Sequence, residues 1–271
     1  MIDSYKSFTM SLQDLGFDGF YRKKISNLSL SINYGEAKGD IQLESVLDAG
    51  HKYYYEANLD YEVSIDQPIN IFKNGQVLDD RDVLITCIEI FDWGGVQKSN
   101  ILSALSFHRK GELVTYLKKC MDWFEDESSL SEPDFEVIWS SGWTKVYSFM
   151  FDFVTIYDSR VAAFINKICL DFYLSLDEDG RKKLKNVTSG LLSFGGTTER
   201  ERTLSSEYRK ELSLFGNPSD KRKMVANKKA SWFIRYISEV EGLSGTQSCF
   251  RLVDKAAFML GFDLKQWNQS I

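Results

Sequence analysis

The chain has 271 residues, 43% of them apolar and 14% aromatic, with only three prolines; this excludes a disordered or low-complexity array and suits one large packed domain or two small ones. No run of about 18 apolar residues occurs, so no membrane span is expected, and no basic N-terminal region leads into an apolar stretch, so no secretory signal is expected. The net charge of −6 conceals an asymmetry, because residues 1–180 hold 16 Lys and Arg against 30 Asp and Glu while residues 181–271 hold 17 against 9. An acidic body with a basic C-terminal third is compatible with a polyanion held on one face, or with solvated helices of uneven charge.

In chain order, residues 1–76 are rich in β-formers. Leu28-Ser29-Leu30-Ser31-Ile32 alternates apolar and polar, Tyr53 to Ile65 is dense in Tyr, Val and Ile, and Asn74-Gly75 is a tight-turn signal. This region reads as strand and loop, with a short helix near the start. Helical periodicity then takes over. Asp79 to Asp82 supply acidic first-turn residues ahead of Val83, Leu84, Ile85, Ile88 and Phe91, in a helix that should stop at Gly94-Gly95. Asn100 is placed to cap a helix over Ile101 to Leu105, and another helix spans Glu112 to Phe124. The acidic connection Glu125 to Asp134 leads to Phe135–Trp139, a turn at Gly142, a short helix over Lys145 to Phe151 and a longer one from Ser159 to Leu174. Residues 193–221 look irregular, Asn227 to Val240 helical, and a last helix over Phe250 to Leu260 stops at Gly261. The expected fold is mainly α with a strand-rich N-terminal part (α+β): a region over 1–76 and a helical body over 77–271.

Cys87, Cys120, Cys169 and Cys249 lie far apart with no C-x-x-C, and are expected to be reduced and buried in a cytoplasmic protein. The same spacing does not suit a four-cysteine iron–sulfur cluster. His51 and His108 are the only histidines, which speaks against a histidine metal site and against Ser-His-Asp or Cys-His chemistry. No phosphate-binding loop or dinucleotide fingerprint occurs. Chemistry would therefore fall to Lys, Asp, Glu or Tyr, with no cofactor and no metal expected.

Two segments together form a recognisable pairing. Ser141-Gly142-Trp143-Thr144-Lys145-Val146 sets a lysine just after a glycine turn; thirteen residues after that lysine, in Ile156-Tyr157-Asp158-Ser159-Arg160-Val161, an aspartate opens an apolar helix. The pair resembles the lysine and aspartate of the helix-hairpin-helix DNA glycosylases, most closely the bacterial proteins described as having an 8-oxoguanine DNA glycosylase (OGG) fold. Ile90 to Val96, with Trp93-Gly94-Gly95, is similar to a further segment of that family, as are Asn217-Pro218-Ser219 with Ala226 to Trp232, and Arg251 to Gly261. The likeness covers residues 80–262 and leaves 1–75 outside it. It departs at the hairpin, where Trp143-Thr144 follows Gly142 in place of a glycine-x-glycine turn, and the lysine–aspartate separation is short for the superfamily.

The resemblance implies a helix-hairpin-helix DNA glycosylase-like fold and a monomer acting on double-stranded DNA that contains a modified base. The base would be flipped into a pocket, with Asp158 stabilising an oxocarbenium-like transition state. Lys145 would supply an amine nucleophile and with it an AP-lyase step. Trp93, Tyr157 and Trp232 would form the base pocket; Gly142, Trp143, Thr144, Arg160, Lys221, Arg222 and Lys228 would contact DNA. The family's name points to 8-oxoguanine; the divergent hairpin and extra N-terminal region point instead to phage defence against hydroxymethylated or glucosylated cytosine. Plainer readings stand beside each of these. Asp158 suits a helix N-cap, worth about 1 kcal/mol and compatible with catalysis. Lys145 and the other cations suit solvated surface, and the aromatics suit the core. Two non-enzyme alternatives are a catalytically silent nucleic-acid binder on the same scaffold and a protein-interaction module.

Overall fold

The computed structural model describes residues 2–32, 39–53, 66, 68–74, 79–96, 98–195, 199–242 and 246–269. The chain begins with two helices, α1 (Tyr5–Asp14) and α2 (Phe17–Ser26). Ser4 and Ser7 cap α1 reciprocally, and the apolar residues Tyr5, Phe8 and Leu12 fall on one face. In α2 the buried set is Phe17, Tyr21 and Ile25, again at helical spacing. Between them Gly16 turns the chain at φ 77°, a conformation open to glycine without steric cost. Strands β1 (Leu28–Ile32) and β2 (Gly39–Gln42) follow, then α3 (Val46–Lys52). The expectation of a strand-rich start is thus corrected: over residues 2–53, helices take more of the chain than strands. The periodicity at 5, 8, 12 and 17, 21, 25 outweighs the β-propensity of individual residues. The strands expected over Tyr53 to Ile65 and the turn at Asn74-Gly75 lie, apart from Tyr53 and Asn74, outside the described residues.

The body contains α4 (Asp80–Trp93), α5 (Lys98–Arg109), α6 (Leu113–Glu125), α7 (Trp143–Met150), α8 (Ser159–Ser175), α9 (Glu178–Thr188), α10 (Ser206–Glu211), α11 (Asp220–Val240) and α12 (Gln247–Leu260). Asp79 caps α4 by accepting from the Arg81 amide at 3.1 Å, and the helix ends at Gly94, as expected. Asn100 does not cap α5; it sits inside that helix, which begins at Lys98. Helices α8 and α11 are buried on nearly all sides and form the centre of the molecule. Among the described residues no helix is long and apolar enough to cross a membrane.

A small antiparallel sheet runs in the order β2-β1-β3, where β3 is Trp267–Gln269. Leu28 pairs with Gln269 and Leu30 with Trp267, so a strand from the start of the chain is hydrogen-bonded to one from its end. The core does not divide at residue 76. One apolar cluster joins Tyr5 to Ala49 with residues of α8, α9, α11 and α12. A second gathers Ile69, Phe72, α4, α6 and α7 around Trp143 and Tyr147. Cys87, Cys120 and Cys169 are buried within these clusters and Cys249 is half-buried; all four are thiols.

Candidate active site

A cavity of about 600 Å³ opens where residues of the two clusters meet, within the size range of small-molecule sites. Lys145 and Asp158, chosen from the sequence, both line it, as do Trp93 and Arg160. Tyr53, Phe149 and Phe258 add aromatic wall, and Arg251, Asp254 and Lys255 reach it from α12. Two ring pairs stand in that wall: Trp93 meets Phe149 edge-on at 4.9 Å, and Tyr53 lies 6.1 Å from Phe258.

Lys145 is in the first turn of α7, and its Nζ donates to the Ser141 carbonyl at 3.1 Å. Its stem crosses Gly94: a Cβ there would stand 2.3 Å from Lys145 Cδ and 2.6 Å from Cε. The glycine that ends α4 therefore makes room for the lysine. Burial holds the Lys145 amine below its usual pKa; the Asp158 carboxylate opposes that shift and the Arg160 charge adds to it.

Asp158 caps α8, its Oδ1 accepting from the amides of Arg160 at 2.8 Å and Val161 at 3.3 Å. Both capping bonds end on Oδ1, so capping does not require Oδ2. The loop that delivers this aspartate is pinned along its length. Phe153 takes a left-handed backbone at φ 53°, sparsely populated by non-glycine residues, and its amide donates to Gln247 Oε1 at 3.0 Å. Thr155 is buried, with its amide donating to Ser231 Oγ at 3.1 Å and its carbonyl accepting from Asn227 Nδ2 at 3.2 Å.

The sequence reading missed the contribution of α12. Arg251 donates to Ser148 Oγ at 2.5 Å, Val154 O at 3.1 Å, Phe151 O at 3.4 Å and the Ser148 carbonyl. It thereby ties the C-terminal end of α7 to the loop before Asp158, fixing the lysine's helix relative to the aspartate. Asp254 is buried, accepts from Thr155 Oγ1 and lies 3.5 Å from Arg251. Burial pushes its carboxyl up to about 6, against the pull of Arg251. A sequence signal existed: Arg251 and Asp254 stand three apart, one helical turn, interleaved with Phe250, Leu252, Val253, Ala256 and Ala257.

Several expected site residues are elsewhere. Gly142 has helical backbone, φ −73° and ψ −49°, so it makes no left-handed phosphate turn. The amides of Trp143, Thr144 and Lys145 are already donated to Ser140 Oγ, Ser140 O and Gly142 O. Trp143 and Thr144 are fully buried; the Trp143 indole donates to Ser103 Oγ at 2.8 Å, so this ring is core. Tyr157 is also fully buried and its hydroxyl accepts from the Leu192 amide at 2.9 Å. Trp232 packs between the rings of Tyr5 and Phe8, at 5.7 and 5.9 Å. None of these lines the cavity, because each sits where a large ring can be covered on all sides. Lys221 donates to Pro133 O at 2.8 Å, and Arg222 pairs with Glu132 at 3.2 Å; neither lines the cavity. Lys228 is buried, donates to Trp123 O at 2.6 Å and is held down to about 8 by burial. It caps the end of α6 and is not exposed to a phosphate.

Among the described residues no group of three His, Cys, Asp or Glu is placed to hold a metal ion. Comparison with protein-family models, with known proteins and with solved structures finds no match to this chain.

Proposed function

We propose that this protein is a DNA glycosylase of helix-hairpin-helix type that excises a modified base drawn into the cavity. The observation that carries this reading is the meeting of Lys145 and Asp158 in one partly desolvated, aromatic-walled cavity. A base entering it would lie against the rings of Trp93, Phe149, Tyr53 and Phe258, where stacking is worth about 1–3 kcal/mol per base. As the glycosidic bond breaks, positive charge develops at C1′ and O4′, and the Asp158 carboxylate stabilises it. The lysine amine, neutral in a larger fraction than a solvated lysine, attacks C1′; the base departs with the bonding electrons and is protonated. Opening of the sugar ring then leaves a Schiff base on Lys145, from which β-elimination nicks the strand.

The substrate is a modified base in double-stranded DNA. Hydroxymethylated or glucosylated cytosine in invading phage DNA is the class we favour. Gln247, Lys255 and Asp66 on the cavity wall offer polar partners for a hydroxyl-bearing substituent. The deciding experiment incubates the protein with a panel of modified duplexes, identifies released bases by mass spectrometry, and adds borohydride to trap the Schiff base. Release of one modified base, with an adduct lost in Lys145→Met, is the expected result. Release without trapping would leave a glycosylase lacking lyase activity. Salt-sensitive DNA binding with no release from any duplex would instead assign a catalytically silent binder.

A further inference from the structure

Asp254 is a buried carboxylate on the cavity wall that base excision by Lys145 and Asp158 leaves unused. It accepts from Thr155 Oγ1 and from the Ile156 amide, both in the loop that leads to Asp158. One turn earlier on α12, Arg251 lies 3.5 Å from it and donates to Ser148, Phe151 and Val154. Every loop or helix residue so bound lies in the stretch from 148 to 156, between Lys145 and Asp158. Burying a carboxylate is unfavourable unless hydrogen bonds and a counter-charge attend it; here its partners are Arg251 on α12 and the last residues before Asp158.

The far end of α12 meets the other side of Asp158. A Cβ on Gly261 would stand 1.8 Å from the Arg160 carbonyl oxygen, so only glycine lets the helix end this close to the first turn of α8. From behind, α3 backs the turn that carries Arg251: a Cβ on Gly50 would stand 2.3 Å from the Leu252 carbonyl oxygen. The grip on the loop is thus built on packed helices, the kind of support that precise placement of a reacting group needs.

We propose that Asp254 is a positioning residue of base excision: through Thr155 and Ile156 it sets the Asp158 carboxylate at the separation from Lys145 that an incoming C1′ requires. The inference rests on the glycosylase reading above. Asp254 acts in its ionised form, which accepts from both donors and pairs with Arg251; protonation turns one acceptor oxygen into a donor and weakens the pair. Burial raises the carboxyl to about 6 against the pull of Arg251, and the Asp158 charge adds to the rise. The groups facing it are Arg251 on its own helix, Thr155 and the Ile156 amide on the loop, and Asp158 at the mouth of α8. Lys145, Arg160 and Lys255 stand on the same cavity wall, and α11 meets the loop with Ser231 and Asn227, which do not titrate. The hold on the loop is therefore complete above about pH 6 and lost below it.

The test follows the Lys145 pKa and base release in the same variants. Lysine labelled with carbon-13 at Cε gives the pKa by NMR on the free protein, with the Lys145 signal assigned by its loss in Lys145→Met. The charges that act on Lys145 are those of Asp158 and Arg160. Asp254→Asn should therefore lower the Lys145 value by part of the shift that Asp158→Asn produces, and add nothing in an Asp158→Asn background. Base release at saturating duplex should fall about 10–100-fold in Asp254→Asn, with the half-saturating duplex concentration unchanged. The logarithm of that saturated rate should steepen against pH by about 1 below about pH 6 in the wild type and not in Asp254→Asn. Thr155→Val removes one donor and leaves Arg251 paired; it should lose about threefold to tenfold and covers the case that Asp254→Asn folds poorly. A Lys145 pKa unmoved, or moved equally in both backgrounds, would overturn the positioning role. So would a loss confined to the half-saturating concentration, or an acid limb as steep in Asp254→Asn as in the wild type. A background-dependent pKa shift without release from any duplex keeps the hold on Asp158 and refutes the excision, whereas release that Asp254→Asn leaves intact does the reverse.

Discussion

Asp158 caps α8, and in the proposed mechanism the same carboxylate stabilises the transition state; the two functions can be pulled apart. Asn caps helices about as well as Asp, so Asp158→Asn should melt within a few degrees of the wild type. Base release should nevertheless fall by about 10²–10⁴-fold, the range for losing a positioned acid–base or electrostatic group. Near-normal release from this variant would remove Asp158 from the mechanism. Lys145 makes a complementary prediction about pH. On DNA with a preformed abasic site, borohydride trapping should rise with pH, with its inflection below the ordinary lysine value of 10.5. The Asp158 carboxylate favours the ammonium, so Asp158→Asn should move the inflection lower still. Arg160 opposes the ammonium, so Arg160→Gln should move it higher. An inflection unmoved by either change would mean that Lys145 does not share its surroundings with them.

At the level of elements, helix ends decide the site. Gly94 terminates α4 and leaves room for the Lys145 stem; its φ of −81° suits any residue. Gly94→Ala should therefore leave Tm nearly unchanged while displacing Lys145 and lowering trapping at least about tenfold, since sub-ångström placement governs such steps. A variant that traps at the wild-type rate would show that the lysine can find another path into the cavity. Buried lysines hold other ends. Lys229 donates to Ser189 O at 2.6 Å just past α9, and burial lowers it to about 8 from 10.5. Its folded value lies below its unfolded one, so the unfolded chain binds more protons between those pH values. The contribution of Lys229 to stability therefore rises with pH across that window, by roughly 3 kcal/mol at most. In urea titrations from pH 8 to 10.5, Lys229→Met should lose ground against the wild type as pH increases; a constant gap would refute the assignment.

Much of the helical body was readable where caps and apolar spacing agree, and Gly94, Asp158 and Gly261 mark ends that the structure has; α9 was passed over, and α10 and the first turns of α11 fall in or beside the run read as irregular, because these segments are rich in charge and carry little apolar periodicity. Asp158 was legible as the cap of α8, and the structure places it there and on the cavity wall. Trp143, Tyr157 and Trp232 misled because an aromatic ring looks alike in sequence whether it faces a ligand or a core. Arg251 and Asp254 escaped notice because their partners, Ser148 and Thr155, are about 100 residues away in the chain, and no local pattern encodes such pairing. The start of the chain was misread for a related reason: Phe8 and Phe17 fit strand or helix until their shared face is seen.

For the whole molecule, the N-terminal helices belong to the same packing unit as α8, the helix that Asp158 caps. Phe8 is fully buried against Trp232 and Phe233, with ring centres 5.9 and 5.1 Å away. Phe8→Ala should cost about 3–5 kcal/mol, read as a lower urea midpoint, although residue 8 does not line the cavity. A cost below about 1 kcal/mol would mean that the N-terminal helices are an appendage to the core. The pairing of Leu30 with Trp267 has a consequence in time. Lys145 and Asp158 emerge from the ribosome long before Arg251, Asp254 and Phe258, and β1 waits for β3 still later. A nascent chain carries Lys145 before Phe258 joins the cavity wall and before Arg251 ties the end of α7 to the loop before Asp158. The proposed chemistry therefore requires that α12 has been made and has docked against the loop before Asp158.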